Sequence, residues 1–401
     1  MMLLRLVYRS LRQHALSTIV TAASIAMAGG LLLTVWMVKE QTRRAFVETT
    51  TAFDAVLGAR GSKLQLVLNA VFHLESSPGN VALADYEAIR RHPAVKTAIP
   101  IAVGDNYRGW RIVGTVPELF TGVEYASGRR YTVAPGGRLF DAAKPEAVVG
   151  DMVARQTGLK VGDTFKPFHG LTFDPRAEHA DIYTVVAVLA PTNTPADRVV
   201  WIPLAGVQNM TGHDARTATD VSAVLLQLRA PSAGMMMDLL YNRQGNRLTL
   251  AFPVGAIVAD LFNKIAWVDR VLALVAYIVA LVAGGSVLAS IHASMDARRR
   301  DIAILRALGA RRRTVFGAVL SEAAAIGLLG AVASLVVYSG LFSVVAGVIR
   351  IQTGVVLNLA QWHPVLVLAP AGLVLLGALG GLVPAWKAYR TPVADNLLPV
   401  S

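Results

Sequence analysis

Four stretches of the chain stay apolar long enough to cross a bilayer, and between the first and second lies a long segment whose apolar residues come in much shorter runs. Residues 15–38 carry no charge, and a helix needs roughly 20 residues to cross about 30 Å of hydrocarbon. Residues 266–291, 314–349 and 363–385 supply three further predicted spans. The third would be roughly 50 Å long as one helix. It must therefore tilt, break at Gly327, Gly330 or Gly340, or project past the membrane. Its only acidic residue, Glu322, is expected to be satisfied by arginines or by a neighbouring helix. Asp269 and Arg270 open the second span and are expected at its outer boundary, their polar ends reaching the interface. Ala26 and Ala28 form an A-x-A pattern after a basic start, as at a signal-peptide cleavage site. Cleavage there would leave an apolar new terminus, so a retained helix is favoured.

Residues 39–265 read differently. Apolar spacing predicts a helix over residues 83–91, with Pro93 after its end, and a shorter one over 152–157 closed by Gly158. Short runs of strand-forming and apolar residues predict strands at 95–103, 110–116, 147–149, 183–189, 199–202 and 223–228. In residues 53–80, Leu64, Val67, Leu68 and Val71 fall at helical spacing, which fits either an amphipathic helix on the membrane surface or a plain buried one. The expected fold is an α-helical membrane protein with four transmembrane helices plus a large extracytoplasmic α+β domain.

Charge fixes the orientation. Residues 296–313, DARRRDIAILRALGARRR, hold seven arginines between the second and third spans. By the positive-inside rule this loop, 292–313, is cytoplasmic. The termini, 1–14 and 386–401, then also face the cytoplasm, and both are basic, while 39–265 and the short link 350–362 lie outside. Hydrophobic residues make up 54% of the chain and charged ones 16%, which suits spans joined to a folded part. The net charge of +12 sits in short segments beside the spans, so it reports topology and excludes nucleic acid as a partner. With no cysteine, the external part must rest on its own core.

No catalytic constellation is present. Ser62 and Ser127 lack a G-x-S-x-G setting, H-E-x-x-H does not occur, and no phosphate-binding G-x-x-x-x-G-K-[ST] exists in the sequence. His169, Asp174, Glu178, His179 and Asp181 offer metal-ligand chemistry, but their spacing matches no ligand rule and is read as a solvated loop. Met235, Met236 and Met237 are adjacent rather than on one helical face, so packing is expected rather than a copper site.

Within the arginine loop, Ile302, Ile304, Leu305 and Leu308 make a narrow apolar stripe. Asp301 favours a helix start and Gly309 a left-handed stop. A short apolar helix flanked by arginines is what a groove in a soluble partner would grip. The string RRRDIAILRALGARRRTVFGAVLSEAAAIGLLGA and the ending PAWKAYRTPVADNLLP resemble the FtsX-like, MacB-type permease family of ABC transporters, which includes LolC and LolE. AVVGDMVARQTGLKVGDTF resembles that family's periplasmic core domain.

The resemblance implies a non-catalytic permease of the bacterial inner membrane, paired with a second permease chain and two copies of an ATPase. Asp301, Ile302, Ile304, Leu305, Arg306, Leu308 and Gly309 would form the coupling helix. Pro384, Lys387, Arg390 and Pro392 would form a second cytoplasmic contact. It implies no cofactor on this chain, with ATP and Mg held by the separate ATPase, and admits a periplasmic adaptor or carrier. The expected action is mechanotransmission for export or extraction of a substrate, with an FtsX-like activator of an external hydrolase as the alternative. Lipoprotein, lipid, peptide, antibiotic and metal-related substrates all stay open.

Overall fold

A computed structural model describes residues 2–126, 128–213, 219–245, 247–297, 304, 306, 307 and 309–390. The chain divides into a helical unit, residues 1–40, 266–347 and 358–401, and an α+β unit, residues 41–265 and 348–357.

The long helices exceed the apolar runs that predict them. Helix α1 is Met2–Gln13 and α2 is Ala15–Thr49, so the first span continues well past its charge-free part. Once a helix is established, each further residue adds one hydrogen bond, and Lys, Glu, Gln and Arg are good helix formers. The last three helices, counted below as α9 to α11, are Val254–Ala297, Arg312–Thr353 and Val365–Arg390. Arg312–Thr353 runs unbroken through Gly327, Gly330 and Gly340. Its 42 residues span about 63 Å, so with no break, tilt or projection is left to accommodate the length. Val365–Arg390 runs through Pro384 and past Ala385, where the span was expected to end. Among the described residues, four helices are long and apolar enough to cross a membrane.

In the α+β unit the strands are β1 Ala55–Ala59, β2 Val95–Tyr107, β3 Trp110–Thr115, β4 Glu124–Ala126, β5 Arg129–Arg130 and β6 Glu146–Val149. They continue with β7 Thr164–Phe165, β8 Phe168–His169, β9 Tyr183–Val188, β10 Val199–Pro203, β11 Ala223–Leu228 and β12 Leu248–Ala251. Helices α3 Lys63–Ala70, α4 Leu83–Arg90, α5 Glu118–Gly122, α6 Asp151–Thr157, α7 Leu204–Gln208 and α8 Pro231–Asp238 belong to the same unit. Ten strands form one mixed sheet in the order β12-β1-β11-β2-β3-β10-β6-β9-β7, with β8 added to β2. Most pairs are antiparallel; β10 runs parallel to β3, and β6 to β9. Strand β10, and β6 after Glu146, are buried at every position, which is why they read as unbroken apolar runs rather than alternating ones.

The core falls into two clusters. Leu57, Ile89, Val224 and Leu250 belong to one, and Ile112, Val149, Val185 and Ile202 to the other. Helix α3 turns Leu66, Val67, Asn69 and Ala70 inward, which settles residues 53–80 in favour of a buried helix. Of the three adjacent methionines only Met237 packs in the core, while Met235 and Met236 are exposed on α8. Gly158 closes α6 at φ +77°, with its N–H bonded to the Ala154 carbonyl.

The 13-residue β2 positions the site described below. Its pairing with β3 slips between Val103 and Asp105, so Gly104 is an extra residue that bends the strand and re-aims Asp105. Beyond the bulge, Asp105 pairs with His169 and Asn106 with Phe168 on β8. Asn106 is fully buried. Its amide donates to the carbonyls of Phe168, Gly170 and Thr172, and its Oδ1 accepts from the Gly109 N–H, fixing the β8 loop on the bulge.

At the opposite end of the sheet, Arg138 grips Glu146 at the start of β6 in a two-pronged ion pair of 2.6 and 2.5 Å, and Asp141 N–H adds a third bond at 2.9 Å. The Arg138 hydrogen bond is the main reason the Glu146 carboxyl falls to about 2. Because the folded value is depressed, the pair's contribution is present in full above the ordinary value of 4.5 and is lost as pH falls toward 2. Glu146→Gln is expected to lower stability at neutral pH and to converge with the wild type toward pH 2, read as a smaller pH dependence of thermal unfolding between pH 5 and pH 3. The guanidinium is over half exposed, so the loss at neutral pH is expected to be small.

Candidate functional site

The first candidate is the cytoplasmic face expected from the sequence. Asp301, Ile302, Leu305, Leu308 and Pro392 lie outside the described residues. Ile304 and Arg306 are helical, and Ile304 is exposed. Gly309 has φ +97° and donates its N–H to the Arg306 carbonyl, so the stop occurs where glycine's freedom is needed. At the end of α11 Pro384 is buried, and Lys387 and Arg390 are exposed. Arg390 lies 4.9 Å over the Trp386 ring, Trp386 stacks on Tyr389, and Arg312 at the start of α10 lies 5.9 Å over Tyr389. The helical unit thus brings the return of the arginine loop and the C-terminal basic residues to one place, held by cation–π contacts.

The second candidate corrects the reading of residues 169–181 as a solvated loop. His169 and His179 meet His213 around Asp105, and the four ligand-type atoms all lie within 4.8 Å of one another. Asp105 Oδ1 is 3.1 Å from His179 Nε2, 3.2 Å from His213 Nε2 and 3.4 Å from His169 Nδ1. Asp105 is fully buried and His179 nearly so, while His169 is exposed on its outer side. Asp105 Oδ2 is buried and has no hydrogen-bond partner among the described residues.

Backbone carbonyls orient two of the rings. His179 Nδ1 lies 2.6 Å from the Thr211 carbonyl and His213 Nδ1 2.9 Å from the Val207 carbonyl. Each Nδ1 donates outward, so each Nε2 is turned toward Asp105. The hydrogen bond to Asp105 is the largest influence raising the His213 imidazole above its ordinary value. The remaining acidic residues of the segment stand outside the cluster. Asp174 accepts from Arg176 N–H, Glu178 pairs with Lys166, and Asp181 accepts from Thr211 N–H, tying down the turn whose carbonyl holds His179.

Asp105 and His213 are the two members that linear reading misses. They lie 108 positions apart, so no local spacing links them. A usable signal is scarcity, since the chain has only eight histidines and three of them converge here. A cleft of about 340 Å³, lined by His169, His213, Gly104, Gly212, Asp220 and Ser222 among others, opens onto the cluster.

Two family descriptions match the chain, the MacB-like periplasmic core domain over residues 18–234 and the FtsX-like permease C-terminal over residues 273–393. The macrolide export ATP-binding/permease protein MacB of Bordetella avium (strain 197N) is 26% identical over 329 residues, covering 78% of this chain and 48% of that protein. The chain thus spans about half the length of this curated relative. Two solved structures are also similar. The extracellular domain of the noncanonic ABC-type transporter YknZ from Gram-positive bacteria is 16% identical, covering 49% of this chain and 97% of the other, with TM-score 0.30. The periplasmic region of MacB from Actinobacillus actinomycetemcomitans is 10% identical, covering 54% and 95%, with TM-score 0.34. The two family matches occupy separate segments that take in most of the sequence, the first alone more than half, and the chain belongs to the FtsX-like permease family of ABC transporters that carries a MacB-like periplasmic core domain.

Proposed function

We propose that this chain is the transmembrane subunit that couples ATP hydrolysis on a partner ATPase to movement of its own α+β unit, exporting or extracting a substrate at the outer face of the inner membrane. The observation that carries the reading is the order of the two family matches, a core-domain match that takes in most of the first span and the segment after it, then a permease match over the last three spans. Membership makes the protein a membrane permease; the four-span count, cytoplasmic termini, pairing with a second permease chain and two ATPase copies belong to the proposal. The four helices of sufficient length support the count, and the arginine-rich segment between the second and third supports the orientation. Helices α2, α9 and α10 each continue from residues of the helical unit into residues of the α+β unit, so a displacement of the cytoplasmic loop has a continuous hydrogen-bonded path outward.

Leu305 and Leu308 would fill the ATPase groove, and their replacement by Asp places two carboxylates where apolar surface should be buried. The double variant is expected to retain membrane insertion and to lose co-purification with the ATPase by at least tenfold. Retained association at the wild-type level would overturn the docking assignment.

A further inference from the structure

We propose that Asp105, His169, His179 and His213 form a binding site for a divalent transition-metal ion of the zinc class. Three imidazole nitrogens and one carboxylate are a donor set suited to such an ion, and none of the four is engaged by the transport reading. Zinc–ligand bonds of about 2.0 to 2.2 Å in a tetrahedron set ligand atoms about 3.3 Å apart. The three spacings from Asp105 Oδ1, 3.1, 3.2 and 3.4 Å, match that edge. Rotations of the rings, His169 being exposed and free to turn, bring the wider nitrogen–nitrogen spacings toward it.

Hydrogen bonding alone accounts poorly for the arrangement. A carboxylate oxygen offers two lone pairs, yet three ring nitrogens converge on Asp105 Oδ1 while Oδ2 has no hydrogen-bond partner among the described residues. The outward Nδ1 bonds to the Thr211 and Val207 carbonyls turn the Nε2 atoms of His179 and His213 toward the same carboxylate oxygen. A metal ion at their meeting point takes the carboxylate oxygen and the ring nitrogens together as ligands. Carbonyl-anchored Nδ1 atoms are also the outer contacts that fix the tautomer of metal-ligating histidines.

The ligands come from three places: the β2 bulge, the hairpin that carries His169 and His179, and the turn after α7. A bound ion therefore cross-links segments that the backbone joins only through long connections, and stabilises the unit by mass action. The cleft beside His169 and His213 leaves one side reachable, so the ion exchanges with solvent.

The test uses the full chain in detergent, with the affinity tag removed and metal stripped by chelator. Zinc titration by calorimetry is expected to show one saturable ion per chain, and cobalt(II) to give the visible bands of a low-coordinate imidazole–carboxylate site. His169→Ala, which removes an exposed ring, and His213→Ala are each expected to weaken zinc at least tenfold and to abolish the zinc-induced rise in melting temperature. Asp105→Asn keeps the shape and removes the charge, with the same expected loss, whereas Asp174→Asn, Glu178→Gln and His92→Ala should bind as wild type. No saturable binding in the wild type, or binding unchanged in both His169→Ala and His213→Ala, overturns the site. Neither result touches the ATPase-docking assignment, which is read by co-purification.

Discussion

Gly330→Ala and Gly377→Ala are expected to destabilise the helical unit, while the same change at Gly317 or Gly340 is expected to be neutral or stabilising. All four are helical glycines in apolar sequence, so propensity alone would favour Ala at each by up to about 1 kcal/mol. Surroundings reverse the sign at two of them. A Cβ on Gly330 would sit 2.6 Å from Ile25 Cβ and 3.1 Å from the Ala22 carbonyl oxygen, and one on Gly377 would sit 3.0 Å from Gly327 Cα and 3.2 Å from the Ala323 carbonyl oxygen. At Gly317 and Gly340 nothing lies within 4 Å. Inside a bilayer, lipid tails are as apolar as leucine, so close helix approach through small residues supplies much of the association energy. Forcing α2 from α10, or α10 from α11, is expected to cost about 1 to 3 kcal/mol for Ala and more for Leu. Thermal unfolding of the purified chain in detergent reads both signs; equal effects at all four positions would mean the helices do not pack through these glycines.

The sequence made the membrane half legible because a charge-free run of bilayer length is a strong, local signal. It hid the helix ends for the same reason: Lys39–Thr49 and Val254–Ile265 extend their helices without being uniformly apolar. Strands β9 and β10 could be read from β-branched runs, but β1, AVLGA, and β12, LTLA, could not. They are short, hold a single β-branched residue each, and pair with each other across almost 200 positions. The site was half legible. His169 and His179 sit close enough in sequence to be weighed together, yet their purpose depends on Asp105, which only the Gly104 bulge aims at them, and on His213, which arrives from another turn. Adjacent carboxylates at Asp174, Glu178 and Asp181 drew attention in the linear pattern precisely where the fold uses them for turns and a surface ion pair. The docking stripe rests on sequence and family, since most of it lies outside the described residues.

Gly150→Ala is expected to be among the most damaging single-methyl additions in the α+β unit. Gly150 joins β6 to α6, with φ −63°, a conformation any residue adopts, so backbone strain is not the issue. Space is. A Cβ there would lie 2.6 Å from the Asp197 carbonyl carbon and 2.7 Å from the Ala196 oxygen, with the Asp197 oxygen closer still. These are main-chain atoms of a turn that cannot rotate aside. Buried Asp197 locks that turn, its carboxylate accepting from Thr192 N–H, Thr192 hydroxyl and Asn193 N–H, and the Trp201 indole donates to the Ala196 carbonyl. Gly150 N–H itself bonds the Val199 carbonyl at the start of β10. Moving the turn to admit a methyl group breaks several of these bonds together, each leaving a buried group unpaired, for an expected loss of about 3 kcal/mol or more. Gly122→Ala, where nothing lies within 4 Å, is the matched control and should change stability by no more than about 0.5 kcal/mol. Denaturant unfolding of the two variants beside wild type measures the difference, and a Gly150→Ala protein as stable as the control would show that the turn yields without loss of its hydrogen bonds.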